Sequence, residues 1–264
     1  MKPGCAGRRG VVVAIVLLEV LGAITGAQAD SAWYDVDAES LGRGGVWALS
    51  RLDRSPGAPM AAGAFLGFSA AEPFAGAGLA AGSVRLQAVF DTWAGAISLW
   101  QLQSPVHRET ELRLAAQFRA AALCLGAGLQ ARAESFASYP TLWSTSVCLG
   151  AGAELGRGAR ATLAIEHLAA RGAPPRLLVA AEAPLAAAVT AALQQEREPG
   201  LPARTLVGLS WRHDVLLFLV GHDLATQSSS AGVTLVWPHV HVAWAASSHA
   251  ELGWSQTWTC ELWR

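Results

Sequence analysis

The chain has 264 residues, a formal net charge of −1, 52% hydrophobic and 15% charged residues, and 11 Trp against 2 Tyr. A composition this apolar excludes an intrinsically disordered chain, and a near-neutral charge excludes a strongly basic nucleic-acid binder. Four Cys in this length exclude a small scaffold stapled by disulfides, which leaves a large core or a surface that meets lipid.

The first element reads as an export signal. Lys2, Arg8 and Arg9 precede the run Val11 to Ile24, apolar except for Glu19, and Ala27-Gln28-Ala29 forms a small-x-small cleavage site. The run is too short to span a bilayer as a helix. Residues 1–29 are therefore expected to be a cleaved signal peptide, with Asp30 as the mature start. Residues 30–60 follow as a separate N-terminal segment, and 61–264 as the main domain. No later stretch has the uninterrupted apolar length of a membrane helix.

From residue 61 on, the period is 2. In 111–119, Leu112, Leu114, Ala116 and Phe118 fall on one face, and Glu111, Arg113, Gln117 and Arg119 on the other. In 84–90, Val84, Leu86, Ala88 and Phe90 oppose Arg85 and Gln87. Near the end, Trp254, Trp258, Cys260 and Leu262 oppose Ser255, Thr257, Thr259 and Glu261. Strict alternation is the mark of a half-buried strand. The hexapeptide 123–128 also recurs as 147–152 with its phase kept. Cys124, Gly126, Gly128, Gln130 and Arg132 share one face of the first copy; Cys148, Gly150, Gly152 and Glu154 share that of the second.

These patterns predict fourteen strands: 61–68, 83–91, 95–102, 110–119, 121–132, 143–155, 160–168, 176–183, 186–196, 204–211, 214–221, 231–237, 239–246 and 253–263. The gaps between them alternate between short and long. An up-and-down antiparallel barrel has that rhythm, with all short turns at one rim and all longer loops at the other. A sheet that spans lipid must close, because lipid satisfies no free edge. The predicted fold is thus all-β, an up-and-down antiparallel transmembrane β-barrel of 12–14 strands, fourteen by this count. The apolar phase would face lipid, and Trp93, Trp143, Trp211, Trp237 and Trp254 fall at strand ends, where interfacial aromatics sit. The expected lumen set is Arg85, Gln87, Glu111, Arg113, Gln117, Arg119, Gln130, Arg132, Glu154, His239 and His241. Its charges, with Glu166, could form structural salt bridges or a selectivity-determining lining.

His239-x-His241 places two imidazoles on one strand face, a spacing open to a metal, but no Cys or carboxylate partner is fixed by sequence. Rim- or lumen-facing histidines are the stronger reading. Cys124 and Cys148 would lie nearly opposite across a hairpin centred near residue 137, so a disulfide between them is possible in an exported chain. No nucleophile motif, phosphate loop or His-Glu-x-x-His is present, so no enzyme and no cofactor is expected.

Three segments then look familiar. Ser248-His249-Ala250-Glu251-Leu252-Gly253-Trp254-Ser255 resembles the final outer loop of FadL-like outer-membrane barrels of the PorV/PorQ type, with Ala250 where that group has Pro. Ser40-Leu41-Gly42-Arg43-Gly44-Gly45-Val46-Trp47-Ala48 resembles its opening motif, and Ala77-Gly78-Leu79-Ala80 the tail of another, with Ala75-Gly76 in place of Asn-Pro. The resemblance implies that residues 30–60 tuck at or into the barrel like a plug. It also implies an outer-membrane location, assembly by the barrel-assembly machinery, and a role in taking up hydrophobic or small solutes or in assisting a secretion system. The alternative is an exported, soluble β-rich binding or structural protein without channel activity.

Overall fold

A computed structural model describes residues 37–43, 45–60, 62–170, 174–249 and 252–264. The expected export signal, 1–29, lies outside them. The first element is a short helix, α1 (Ala38–Gly42). Fourteen strands follow: β1 (Gly63–Glu72), β2 (Ala80–Val89), β3 (Trp93–Gln103), β4 (His107–Ala120), β5 (Leu123–Phe136), β6 (Leu142–Gly156) and β7 (Ala159–Leu168). The second half is β8 (Arg176–Ala186), β9 (Val189–Arg197), β10 (Arg204–His213), β11 (Leu216–Asp223), β12 (Ser228–Val236), β13 (Val240–His249) and β14 (Gly253–Trp263).

Each strand pairs antiparallel with its neighbours in sequence, and β14 returns to β1, so the sheet is a closed up-and-down barrel. The closing ladder runs from Phe65 opposite Trp263 to Glu72 opposite Gln256. It is extended by Arg264, whose N–H donates to the Ala64 carbonyl at 2.9 Å. Closure leaves no free edge along the seam.

The side-chain phase fixes inside and outside. On β4, Leu112, Leu114 and Phe118 are exposed on the outer face, while Glu111, Arg113 and Gln117 are buried inside. The outer face ends in aromatics near the β2–β3, β4–β5 and β10–β11 turns. Phe90 and Trp93 pack at 4.3 Å, Trp211 stacks on Phe218 at 5.3 Å, and Phe118 stands exposed. Trp143 and Trp254 lie toward the opposite rim. Trp47 is the contrary case, buried at 2% exposure inside the barrel.

The structure corrects three expectations. The short-and-long rhythm is weaker than expected, with connections of two or three residues at one rim and three to seven at the other. The reason is that strands run past their expected ends at the long-loop rim, β4, β5 and β6 to 14, 14 and 15 residues, and β1, β2, β11, β12 and β13 by two to four residues. Cys124 and Cys148 are not bonded; both are free thiols. Cys124 pairs with Gly152 and Cys148 with Gly128, because the β5–β6 hairpin turns later than assumed. That offset of four residues is about 13 Å of strand, well beyond the ~7 Å a disulfide tolerates. Finally, His239 lies in the β12–β13 turn rather than on a strand, so it shares no strand face with His241.

Candidate functional site

Residues 37–43 and 45–60 lie inside the barrel. Asp37 caps α1: its Oδ1 accepts from the Ser40 N–H at 2.8 Å, which satisfies one of the helix's free donors. Beyond α1 the segment winds by tight turns, including Ser50 N–H to Trp47 O at 2.9 Å and Ser55 N–H to Arg51 O at 2.8 Å. Pro56 and Pro59 then keep it out of helix and sheet.

Its apolar side chains find small partners on the wall. Leu41, Trp47 and Leu49 pack against Leu178, Ala180 and Ala243. Leu52 packs on Ala94, Ala96 and Ala115, and Val46 on Ala192 and Leu206. The repeated Gly-x-Gly of β5 and β6 has a physical role here. A Cβ on Gly126 would overlap the Pro56 carbonyl, and one on Gly150 or Gly152 would overlap the Gly57 backbone. The wall is bare where the inner segment touches it. Gly152→Val is therefore expected to cost about 1–3 kcal/mol by overpacking, read as an earlier loss of the folded, heat-modifiable band on denaturant titration. Gly95→Val, on the outer face with its nearest obstacle at 3.7 Å, leaves that midpoint nearly unchanged.

Polar contacts join the segment to the wall on many sides. Gln194 Oε1 accepts from the Trp47 and Ala48 N–H groups at 3.0 and 2.9 Å. Gln117 Nε2 donates to the Pro56 and Ala58 carbonyls at 2.7 and 2.8 Å. Arg160 Nη1 donates to the Pro59 carbonyl at 2.8 Å, and Ser98 Oγ to Asp53 Oδ2 at 2.7 Å. The Ala38 N–H donates to Thr259 Oγ1 at 2.8 Å, and the Ser55 and Thr162 hydroxyls meet at 3.1 Å. Ion pairs cross the same interface. Arg43 Nη2 lies 2.8 Å from Glu182 Oε2, and Asp37 Oδ2 lies 3.3 Å from Arg85 Nη1. These bonds satisfy inner backbone groups that a segment without regular structure leaves free.

The residues singled out from the sequence distribute as follows. Arg85 is buried inside and joins Asp37 to Glu261, at 2.8 Å from the latter. Gln87 is buried beside it in phase. Glu111 pairs with Arg113 and accepts from Gln130 Nε2 at 2.8 Å, and Gln130 Oε1 accepts from Ser146 Oγ at 3.0 Å. Arg132 pairs with Glu109 at 2.8 Å and with Glu134. Arg119 and Glu154 are only 3.7 Å apart, at the short-turn rim, where the Glu154 side chain is 53% exposed. His241 Nδ1 lies 3.8 Å from Glu261 Oε2, and its ring packs on Trp263 at 5.1 Å. His239 is exposed in its turn. Among the described residues, no group of three His, Cys, Asp or Glu is placed to hold a metal.

Of a second network, on β7–β11, sequence reasoning named only Glu166. Glu166 binds Arg176, and Arg176 Nη1 lies 3.6 Å from Glu196. Arg204 Nη1 lies 3.8 Å from Glu196, and Arg204 Nε 2.7 Å from Asp223. Period 2 marks Gln194 and Glu196 as one face, but Ala191 and Ala192 between the two phases blur which side is apolar.

Inside the lumen the inner segment's carboxyls titrate apart. Burial alone would raise the Asp53 carboxyl, but Arg51, which also hydrogen-bonds it, and Arg85 and Arg113 hold it well below its usual range. Asp37 is likewise lowered: burial opposes its ionisation, and Arg85, Arg51 and the Ser40 hydrogen bonds outweigh it. Glu39 behaves oppositely. Burial pushes its carboxyl up to about 7, and Asp37, Glu261 and Glu182 add repulsion that Arg43, 3.9 Å away, only partly offsets. A carboxyl raised on folding favours the folded state below its unfolded pKa and loses that advantage as pH rises toward 7. With 37% of its side chain open to solvent, the effect is screened to about 1 kcal/mol or less. Glu39→Gln is expected to remove the loss of stability between pH 4.5 and 7, measured as denaturation midpoints at the two pH values.

No protein-family model and no curated protein matches the sequence. Among solved structures, the CymD monoaromatic hydrocarbon channel superposes with a TM-score of 0.59 at 13% identity, covering 86% of this chain and 96% of that one. A Rhodopseudomonas blastica porin variant matches more loosely, with a TM-score of 0.49 at 6% identity over 76% of this chain and 99% of that one. The likeness to CymD is one of fold.

Proposed function

We propose that this chain is a FadL-like outer-membrane barrel, held shut at rest by residues 37–60 and passing a small solute when that segment is displaced. One observation carries the reading: an apolar, aromatic-edged exterior surrounds a lumen crossed by the chain's own N-terminal segment. Leu125 and Leu129 are 60% exposed and Leu123 is 61% exposed, on the outer face of one strand. In water such a surface would aggregate, whereas in lipid it is the expected covering. Many of the inner contacts are single polar bonds from wall side chains such as Gln117 and Gln194, which water or a solute can replace one at a time. Of the two roles that the FadL and PorV resemblance implies, passage of a small solute is the one this lumen supports. The name of CymD adds a monoaromatic hydrocarbon as a candidate cargo class.

Fractionation and gel mobility test the reading. The protein is expected in the carbonate-resistant outer-membrane fraction and to migrate faster unheated than boiled. Recovery as a soluble protein without detergent would contradict it.

A further inference from the structure

The outer belt is not equally tall around the barrel. Turns at the short-turn rim sit within two or three residues of the last paired position on each strand, so heights can be counted from there. On β5 the outward face is apolar from Leu123 through Ala133. On β9 it is apolar only from Val189 to Leu193, and Gln195 and Arg197 follow. On β11 it ends at Val220, and the next outward residue, His222, bonds across to Ser229 on β12 at 3.1 Å. At about 3.3 Å per residue and a tilt near 40°, each residue adds about 2.5 Å of height. The β5 face is then about 25 Å tall, the usual height of a barrel's apolar band, and the β9–β12 face about 10–15 Å.

We infer that the barrel is a wedge in the membrane and that phospholipid beside β9–β12 is compressed to match the short face. The inference rests on the outer-membrane reading above. A bilayer of ordinary thickness would bring acyl chains against Gln195, Arg197 and His222, and thinning the lipid is the response that keeps these groups at the headgroups. At its β8 border the face is indented by a groove of ≈ 620 Å³ lined by Ala181 and Ala183 of β8 and Ala191 of β9, which gives shortened, disordered chains room. The occupant is phospholipid, and the consequence is a local thin patch on one side of the protein.

Two positions at equal height decide it. Gln195 stands six residues above the first outward residue of β9, and Leu129 six above that of β5. In a background with every native Cys replaced by Ser, Gln195→Cys and Leu129→Cys are folded into dioleoyl-phosphatidylcholine vesicles. Both are then treated with a membrane-impermeant maleimide. The inference expects Gln195→Cys to react at least tenfold faster than Leu129→Cys. Equal rates would overturn it, because the bilayer would then be level. Protection of Gln195→Cys together with cross-linking to a second copy would also overturn it, because protein rather than thinned lipid would cover the face. Failure of either variant to float with vesicles or to show heat-modifiable mobility would count against the membrane reading itself.

Discussion

A chain lacking residues 37–60 conducts. In planar bilayers it is expected to show a stable conductance at least about tenfold above that of the intact chain, because a fourteen-stranded wall encloses more space than its own inward side chains fill. The segment supplies what fills the rest. Trp47, Leu49 and Leu52 are among the largest fully buried side chains, and their wall partners are mostly Ala. Without them the lumen is bounded by small residues and by charged groups that water solvates. The barrel itself is expected to survive, since its ladder is continuous from β1 to β14 without any inner bond. The deleted chain should thus keep its heat-modifiable mobility while gaining conductance. A chain that stays silent would show that the wall alone is closed.

Glu182→Ala carries the second large effect. Glu182 accepts from Arg43 on one oxygen and from Arg160 on the other, at 2.8 Å from Arg43 Nη2 and 2.9 Å from Arg160 Nε. Its side chain is 8% exposed. Removing it leaves two guanidinium groups facing each other with only Glu39, 3.9 Å from Arg43, as a counter-charge, and breaking a buried pair in this way costs about 3–5 kcal/mol. The loss falls on the anchor of the inner segment, so brief openings should appear in conductance records along with the lower denaturation midpoint. Adding Arg43→Ala should recover part of the stability, since one stranded charge is gone. Closure should not recover, because the anchor is still missing. Glu182→Gln, which keeps an acceptor, should fall between.

The strand count and facing were legible because β2–β6 alternate cleanly. Arg85 and Gln87, or Glu111 and Arg113, announce one face, while Leu86 and Leu112 announce the other. Where both phases are Ala-rich, as in β8 and β9, the pattern thins, and Gln194, which holds two inner N–H groups, escapes notice. The register of β5 and β6 also escaped. Two equal Cys-Leu-Gly-Ala-Gly runs fix which residues face inward, but the turn fixes which residues stand opposite, and the pairing comes out four residues away. The path of residues 37–60 has no local signal at all. Its structure is held by wall groups more than a hundred residues away, such as Gln194 and Thr259, and it has neither helical nor strand period. Beside the resemblance at 40–48, the repeated glycines are its sequence trace, since they lie where its backbone presses on the wall.

The most direct test asks whether residue 55 is inside the barrel. The Ser55 and Thr162 hydroxyls lie 3.1 Å apart, close enough for cysteines there to bridge with little movement. With native cysteines replaced, Ser55→Cys combined with Thr162→Cys is expected to form an intramolecular disulfide in folded, vesicle-inserted protein. Conductance should stay closed while oxidised. Folded, heat-modifiable protein in which the two thiols both label freely and never cross-link would place the N-terminal segment outside the lumen and contradict the account.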